Sequence, residues 1–102
     1  MIVVRFVFQT EWGKADAVVE GFKQSADQMR SLAGPNAKMR ILTDLSGPFH
    51  TVVQELELES LAAWEELRAK IFAAPEFQES QERQEIRFEA GRTEFYTLEA
   101  TF

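Results

Sequence analysis

The sequence predicts an α+β protein in which four antiparallel strands form one sheet and two helices cover one of its faces. Two observations lead to this class. Segments rich in Val, Ile, Phe and Thr alternate with segments whose apolar residues recur every three or four positions, the patterns of strands and of helices. A cluster of turn-forming residues also separates two neighbouring strand segments, which predicts a hairpin near the middle of the chain.

The predicted hairpin occupies most of residues 37–60. Residues 38–43 and 49–58 have the composition of strands, and residues 44–48, Asp-Leu-Ser-Gly-Pro, favour a turn between them. The second strand ends in alternating glutamates and leucines, so its leucines point to one side and its glutamates to the other. The hairpin leads directly into a helix.

The first strand, residues 2–9, is largely apolar on both faces, which indicates that both are covered. Strand alternation gives two sets: Ile2, Val4, Phe6 and Phe8 on one face, and Val3, Arg5, Val7 and Gln9 on the other. A helix follows from Lys14 to about Leu32. Gly34 and Pro35 end it, because glycine suits the left-handed position after the last turn and proline cannot continue a helix.

The second half of the chain predicts two helices and a strand. Ser60 is the expected N-cap of a helix that runs to about Ala73. Residues 76–87 are polar nearly all round and predict a short exposed helix, and residues 92–102 predict the last strand. The order of packing elements is therefore β-α-β-β-α-β, which is ferredoxin-like.

The sheet face opposite the helices is expected to be apolar. Its candidate residues are Val3, Val7, Phe49, Thr51 and Val53. A monomer rarely exposes a continuous apolar surface of more than a few hundred Å². Pairing two sheets face to face would cover this surface, so we expect a homodimer with two-fold symmetry.

Composition excludes several functional classes. The chain has 102 residues and is expected to form a single domain, residues 1–102. Its net charge of −6 argues against a nucleic-acid partner, since phosphate binding requires clustered Lys and Arg. The chain has no cysteine and one histidine, which excludes a thiolate metal site and a multi-histidine metal centre within one subunit. We expect no metal site and no cofactor.

We expect neither a membrane segment nor a secretory signal. No segment approaches the roughly 18 apolar residues that a membrane span requires. The N-terminal segment enters a strand pattern at once and lacks the basic and long apolar regions of a signal peptide. A cytoplasmic location is therefore the prediction.

Three segments, together with the order of elements, carry a resemblance to a known superfamily. They are Thr-Asp-Leu-Ser-Gly-Pro-Phe at 43–49, Glu-Leu-Glu-Ser-Leu-Ala-Ala-Trp-Glu at 57–65 and Gly-Arg-Thr-Glu-Phe-Tyr at 91–96. In these respects the chain resembles the dimeric α/β-barrel superfamily, and within it the NIPSNAP-like and antibiotic-biosynthesis-monooxygenase-like proteins.

The resemblance implies a homodimer whose two sheets form a barrel. It also implies a cavity between each sheet and its own helices, which takes a small apolar or aromatic molecule, and a cofactor-independent monooxygenase as one candidate activity. Haem-degrading members use an asparagine, a tryptophan and a histidine on a helix. Here the only asparagine, Asn36, falls in a loop and the only histidine, His50, on a predicted strand, so haem degradation is not expected.

His50 and Tyr96 are the candidate catalytic residues. Histidine changes its charge near neutral pH, so His50 could serve as a general base or hydrogen-bond a ligand. A structural role at the rim of an apolar face is the alternative for His50. Tyr96 could orient a substrate through its hydroxyl group, and packing in the core is its alternative role.

Trp12, Phe49 and Trp64 are the candidate ligand-binding residues, because aromatic side chains often line pockets for small apolar molecules. Trp64 also fits a core position on its helix. Trp12 also fits a loop position that covers the start of the first helix. Both alternatives are structural rather than functional.

Arg5 lies on an otherwise apolar face and needs a partner if it is buried, because an unpaired buried charge costs several kcal/mol. Glu55 is its expected partner, and an ion pair at the dimer seam is favoured over an anion-binding role. Glu55, Glu57 and Glu59 could suggest a metal site. Acids at alternate positions of a strand are more typical of its solvated face.

Two functions stay open from the sequence. One is a small-molecule binding protein or cofactor-independent monooxygenase, in which an apolar pocket holds an aromatic substrate and His50 and Tyr96 supply the polar groups. The other is a non-catalytic dimeric module that serves structure or interaction. The second function predicts a filled interior and a His50 held by backbone groups.

Overall fold

A computed structural model describes residues 1–75 and 88–102 of the chain. In chain order its elements are β1 (Ile2–Thr10), α1 (Ala15–Ala33), β2 (Lys38–Thr43), β3 (Thr51–Leu58), α2 (Leu61–Ala73) and β4 (Phe88–Thr97). The strands form one antiparallel sheet in the order β2-β3-β1-β4. This topology confirms the predicted ferredoxin-like fold.

The short helix predicted for residues 76–87 lies outside the described residues. Of the helices in the part of the chain that the structure describes, none is long and apolar enough to cross a membrane.

The hydrophobic core lies between the sheet and the two helices. Val4, Leu56, Leu58 and Leu67 are its most buried members, each at most 4% exposed. Half-buried side chains of β1 and of both helices surround them: Ile2, Phe6, Met29, Leu32, Trp64 and Ile71. The predicted division of β1 into a helix-facing side and an opposite side is therefore confirmed.

Local sequence explains how α1 ends and how α2 begins. Gly34 has a φ of 95°, a conformation that favours glycine, and its N–H donates a hydrogen bond to the carbonyl oxygen of Arg30 at 3.0 Å. Ser60 Oγ accepts a hydrogen bond from the N–H of Ala63 at 3.1 Å, which confirms the predicted N-cap. Leu61, the first residue of α2, is 57% exposed although it is apolar.

The start of β3 differs from the prediction. β3 begins at Thr51 rather than at residue 49, and His50 lies in the turn that precedes it. His50 has a φ of 57°, a left-handed conformation that interrupts an extended strand. The expectation that His50 lies on a strand is therefore wrong.

The last strand lies earlier in the chain than predicted. The prediction for it was residues 92–102, whereas β4 covers Phe88–Thr97. Thr97 pairs with Ile2, the first residue of β1, so β1 provides no strand partner for the residues that follow. One further hydrogen bond, from the N–H of Leu98 to the carbonyl oxygen of Met1, ends the pairing.

We expect Ser60→Ala to lower the free energy of unfolding by about 1 kcal/mol, because the N–H of Ala63 loses its side-chain acceptor. Urea denaturation at one fixed protein concentration measures this change. Ser31→Ala is the matched control, since its hydroxyl donates to the carbonyl of Asp27 inside α1 and alanine is the better helix former. Equal stabilities of the two variants would contradict the capping role.

Candidate functional site

The sheet face opposite the helices, here called the helix-free face, carries side chains from all four strands. The register of the strands assigns these residues to it: Lys38, Arg40 and Leu42 of β2; Thr51, Val53, Glu55 and Glu57 of β3; Val3, Arg5, Val7 and Gln9 of β1; and Ala90, Arg92, Glu94 and Tyr96 of β4. Residues that pair across strands form rows over this face. One row is charged, and the adjacent row is mainly apolar.

The charged row consists of Arg40, Glu55, Arg5 and Glu94, with Arg92 beside Glu94 on β4. Glu55 Oε1 lies 3.2 Å from Nη2 of Arg40 and 3.9 Å from Nε of Arg5. Glu94 Oε1 lies 3.5 Å from Nη1 of Arg5, and Glu94 Oε2 lies 2.8 Å from Nε of Arg92. The predicted pairing of Arg5 with Glu55 is confirmed, and Glu94 is a second partner that the sequence analysis did not identify.

The charged row changes the expected character of the helix-free face. Val3, Val7, Thr51 and Val53 lie on it as predicted. Phe49 does not, because it precedes β3 and its ring contacts Trp12 instead. The face is therefore a mixture of paired charges and apolar side chains rather than a uniformly apolar surface.

The charged row has two electrostatic features. The pKa of Glu94 is below its ordinary value of 4.5, chiefly because the carboxylate accepts a hydrogen bond from Arg92. Desolvation opposes this shift, while a hydrogen bond from Tyr96 and the charges of Arg92 and Arg5 add to it. The second feature is Nε of Arg5, which is buried and has no hydrogen-bond acceptor among residues 1–75 and 88–102.

A groove of about 390 Å³ lies on the helix-free face next to the charged row. Val7 and Val53, a cross-strand pair that is 5% and 8% exposed, form its apolar floor. Arg5 and Arg92 belong to its lining on the side of the charged row. The remaining lining residues come from β1, the hairpin strands and the hairpin loop: Gln9, Leu42, Thr43, Asp44, Leu45, Ser46, Pro48 and Thr51.

The hairpin loop, residues 44–50, is held against the end of the sheet by hydrogen bonds. Asp44 Oδ1 accepts from the N–H of Thr51 at 3.0 Å, and the N–H of Asp44 donates to the carbonyl oxygen of Thr51 at 3.3 Å. The hydroxyl of Thr51 donates to the carbonyl oxygen of Pro48 at 2.8 Å. Gly47, with a φ of 107°, allows the tight turn that these bonds require.

Three of the candidate residues meet at the edge of the hairpin loop and form an aromatic cluster. The ring centroid of Trp12 lies 6.0 Å from that of Phe49 and 4.4 Å from that of His50. Trp12 and Phe49 are 76% and 74% exposed. The carbonyl oxygen of His50 accepts a hydrogen bond from the N–H of Thr10 at 2.9 Å, so the backbone of His50 joins the loop to β1.

The other two candidates lie elsewhere. Trp64 packs between sheet and helices, with ring centroids 5.4 Å from Phe6 and 6.0 Å from Phe95. Tyr96 lies on the helix-free face opposite Val3 and is 48% exposed, so it is not a core residue. The described lining of the groove includes none of the five candidates.

Neither the role of Arg92 nor the groove beside it was predictable from the sequence pattern. The turn residues around Gly47 indicated the loop, but nothing local indicated that it would border a groove. Arg92 lies beside Val7 because β1 pairs with β4, and this pairing joins residues that are far apart in the sequence. A pattern in one segment carries no information about that register.

We expect Arg92→Gln to raise the pKa of Glu94 toward 4.5, since it removes the main cause of the lowered value. A lowered carboxyl pKa stabilises the folded state at neutral pH, and this stabilisation is lost as the pH falls below about 4.5. An NMR titration of the Glu94 side-chain carboxyl measures the change. Arg40→Gln is the control, because Arg40 pairs with Glu55; an unchanged Glu94 titration in Arg92→Gln would contradict the assignment.

Comparisons with known proteins show similarity at the level of structure. No protein-family model matches the sequence, and no curated protein matches it. The chain is similar to the crystal structure of an uncharacterized NIPSNAP-like domain protein from Burkholderia xenovorans, with 20% identity and a TM-score of 0.81 over 95% of this chain and 84% of that one. It is also similar to a NIPSNAP family protein from Agrobacterium tumefaciens, with 18% identity and a TM-score of 0.79 over 94% and 90% of the two chains.

A third solved structure belongs to a candidate antibiotic biosynthesis monooxygenase from Deinococcus radiodurans. It shares 12% identity with this chain at a TM-score of 0.71, over 100% of this chain and 96% of that one. Identities this low show a common fold and do not by themselves transfer a function. The chain therefore has the ferredoxin-like fold found in NIPSNAP-like and antibiotic-biosynthesis-monooxygenase-like structures.

Proposed function

We propose that this chain forms a homodimer and binds a small apolar or aromatic molecule in the groove of the helix-free face. The observation that carries the proposal is the groove, a space of about 390 Å³ with an apolar floor and polar side chains around it. Pockets for small molecules have volumes of about 300 to 1,000 Å³ and combine an apolar lining with a few polar groups. The volume of the groove lies near the lower end of this range.

The proposed site is on the opposite side of the sheet from the cavity that the sequence resemblance implied. On the helix side, Trp64 is packed between Phe6 and Phe95. On the helix-free side, the groove is bordered by the hairpin loop, whose Pro48 lines it and is followed directly by Phe49. The aromatic cluster is thus attached to the loop that borders the groove, and its exposed rings are available to a ligand at that edge.

The helix-free face also supports the homodimer. Leu42, Leu45 and Tyr96 are 40%, 104% and 48% exposed on this face or on the loop beside it. A second copy of the sheet would remove these side chains from water and would close the groove between two subunits. Each arginine of the row has a glutamate partner within one chain, so burying the row costs less than burying unpaired charges.

Binding without catalysis is favoured over an oxygenase activity. The Deinococcus radiodurans structure is that of a candidate monooxygenase, but a common fold does not carry a reaction with it. His50 and Tyr96, the polar groups proposed for such chemistry, are absent from the described lining of the groove. A base must reach the proton that it removes, directly or through one water molecule. Neither His50 nor Tyr96 is among the described residues that line the groove, so neither is placed to remove a proton from a molecule bound there.

A non-catalytic dimeric module is the alternative function. Two contacts of His50 favour it: the packing of its ring on Trp12 and the hydrogen bond from Thr10 to its carbonyl oxygen. Both are contacts that a structural residue makes. A cytoplasmic location stays a prediction under either function.

We expect sedimentation of the pure protein to give a mass twice that of the 11.7 kDa chain. Tyr96→Lys should weaken the dimer by about tenfold or more, because two new lysines would be desolvated between the sheets. Leu61→Lys is the matched control, since Leu61 has a similar exposure but lies on α2. A monomer at all concentrations, or equal dissociation constants for the two variants, would contradict the proposed dimer.

We expect at least one compound of a panel of small aromatic molecules to raise the melting temperature of the protein, since a ligand that binds the folded state stabilises it. Val53→Phe should abolish this shift, because the larger side chain fills the groove from its floor. Val3→Phe is the control: it makes the same change on the same face, at a residue outside the groove lining.

Two results would contradict the ligand-binding proposal. One is a dimer that no compound of the panel stabilises, which would favour the non-catalytic module. The other is an equal loss of the thermal shift in Val53→Phe and Val3→Phe, which would locate binding outside the groove.

A further inference from the structure

We infer that the ligand of the groove is an anion, specifically a small monocarboxylate with an apolar body, whose carboxylate binds Arg5 and Arg92. This inference rests on the proposed binding function and specifies its ligand class. Three observations support it. The charged row has more arginines than acids, the side chains of Arg5 and Arg92 have N–H donors without acceptors among the described residues, and both arginines lie beside the apolar floor of the groove.

The acids of the charged row do not neutralise its arginines. Among the described residues, the ion pairs of Arg40, Arg5 and Arg92 are with Glu55 and Glu94, so this row of the described structure has three arginines and two acids. The described lining of the groove has the same balance, with two arginines, Arg5 and Arg92, and one acid, Asp44. This local excess is opposite in sign to the net charge of −6 of the whole chain.

The two arginines of the groove have more donors than the described part of the chain supplies acceptors. Each guanidinium carries five N–H donors. Within the described residues Arg5 donates one hydrogen bond and Arg92 donates one, both to Glu94. Nε of Arg5 is enclosed without an acceptor, which is unfavourable for a buried donor. A ligand carboxylate reaches the accessible N–H groups of the two side chains, which are 34% exposed in Arg5 and 65% exposed in Arg92, and it matches the forked geometry of guanidinium groups.

The positions of Val7 and Val53 specify the other half of the ligand. Val7 is a direct cross-strand neighbour of both Val53 and Arg92, and it is two residues from Arg5 on the same face of β1. A ligand with its carboxylate on the arginines therefore lays its apolar part over the two valines. The acid of the lining, Asp44, belongs to the loop end of the groove and already accepts a hydrogen bond from Thr51.

The probes that test this inference are benzoate and benzyl alcohol, which share an aromatic ring and differ in charge. NMR titration of the full chain at pH 7 measures the affinity of each. We expect benzoate to bind about tenfold more tightly than benzyl alcohol, because charge-assisted hydrogen bonds form only with the carboxylate. Added salt should weaken the binding of benzoate and leave that of benzyl alcohol nearly unchanged.

Arg92→Gln and Arg40→Gln form a matched pair of variants. Both arginines are exposed on the same face, with 65% and 61% of the side chain accessible, and both pair with a glutamate, but only Arg92 lines the groove. We expect Arg92→Gln to weaken benzoate binding about tenfold without changing benzyl alcohol binding, and Arg40→Gln to change neither. Arg5→Lys, which keeps the charge but not the forked donors, should weaken benzoate binding by several-fold.

Each other outcome overturns a defined part of the proposal. Equal affinities for benzoate and benzyl alcohol would refute the anion while leaving the proposed binding function intact. No binding of either probe, or of any compound of the aromatic panel, would refute both. An equal loss of benzoate affinity in Arg92→Gln and Arg40→Gln would contradict a site at Arg92, because it would show that benzoate is attracted by the overall charge of the helix-free face. Unchanged benzoate binding in Arg5→Lys would remove Arg5 from the site.

Discussion

The alternation of side chains along β1 is the constraint on which the rest of the structure depends. β1 is an inner strand, paired with β3 on one side and β4 on the other, so each of its side chains lies in a row that crosses the sheet. Val4 and its alternate neighbours contact the helices and build the core. Val7 and Arg5 point to the other face, where they organise the groove and the charged row.

Arg5 determines the character of the helix-free face. A charge at the centre of a sheet is stable only with partners, and the residues directly opposite it on both neighbouring strands are acids, Glu55 and Glu94. These acids in turn pair with Arg40 and Arg92, so the half-buried Arg5 belongs to a network of charges across four strands. A face of this kind can pair with a second copy only if the network stays intact on burial.

The groove arises where this network meets the hairpin loop. The loop is fixed through Asp44 and Thr51, so it borders the apolar floor without filling the space above it. The charged row and the apolar floor are therefore adjacent because Arg5 and Val7 are two residues apart on one strand. Charge therefore lies beside apolar surface in the groove, and the described lining residues do not include His50 or Tyr96.

The sequence by itself determined the order of the elements, the capping of α2 by Ser60, the end of α1 at Gly34 and the two faces of β1. These features depend on spacings of a few residues, which a single segment contains. Only the tertiary structure decided that β4 ends at Thr97, that Glu94 pairs with Arg5, and that a groove lies on the helix-free face. The physical reason is that these features depend on strand register, which is set by contacts between distant parts of the chain.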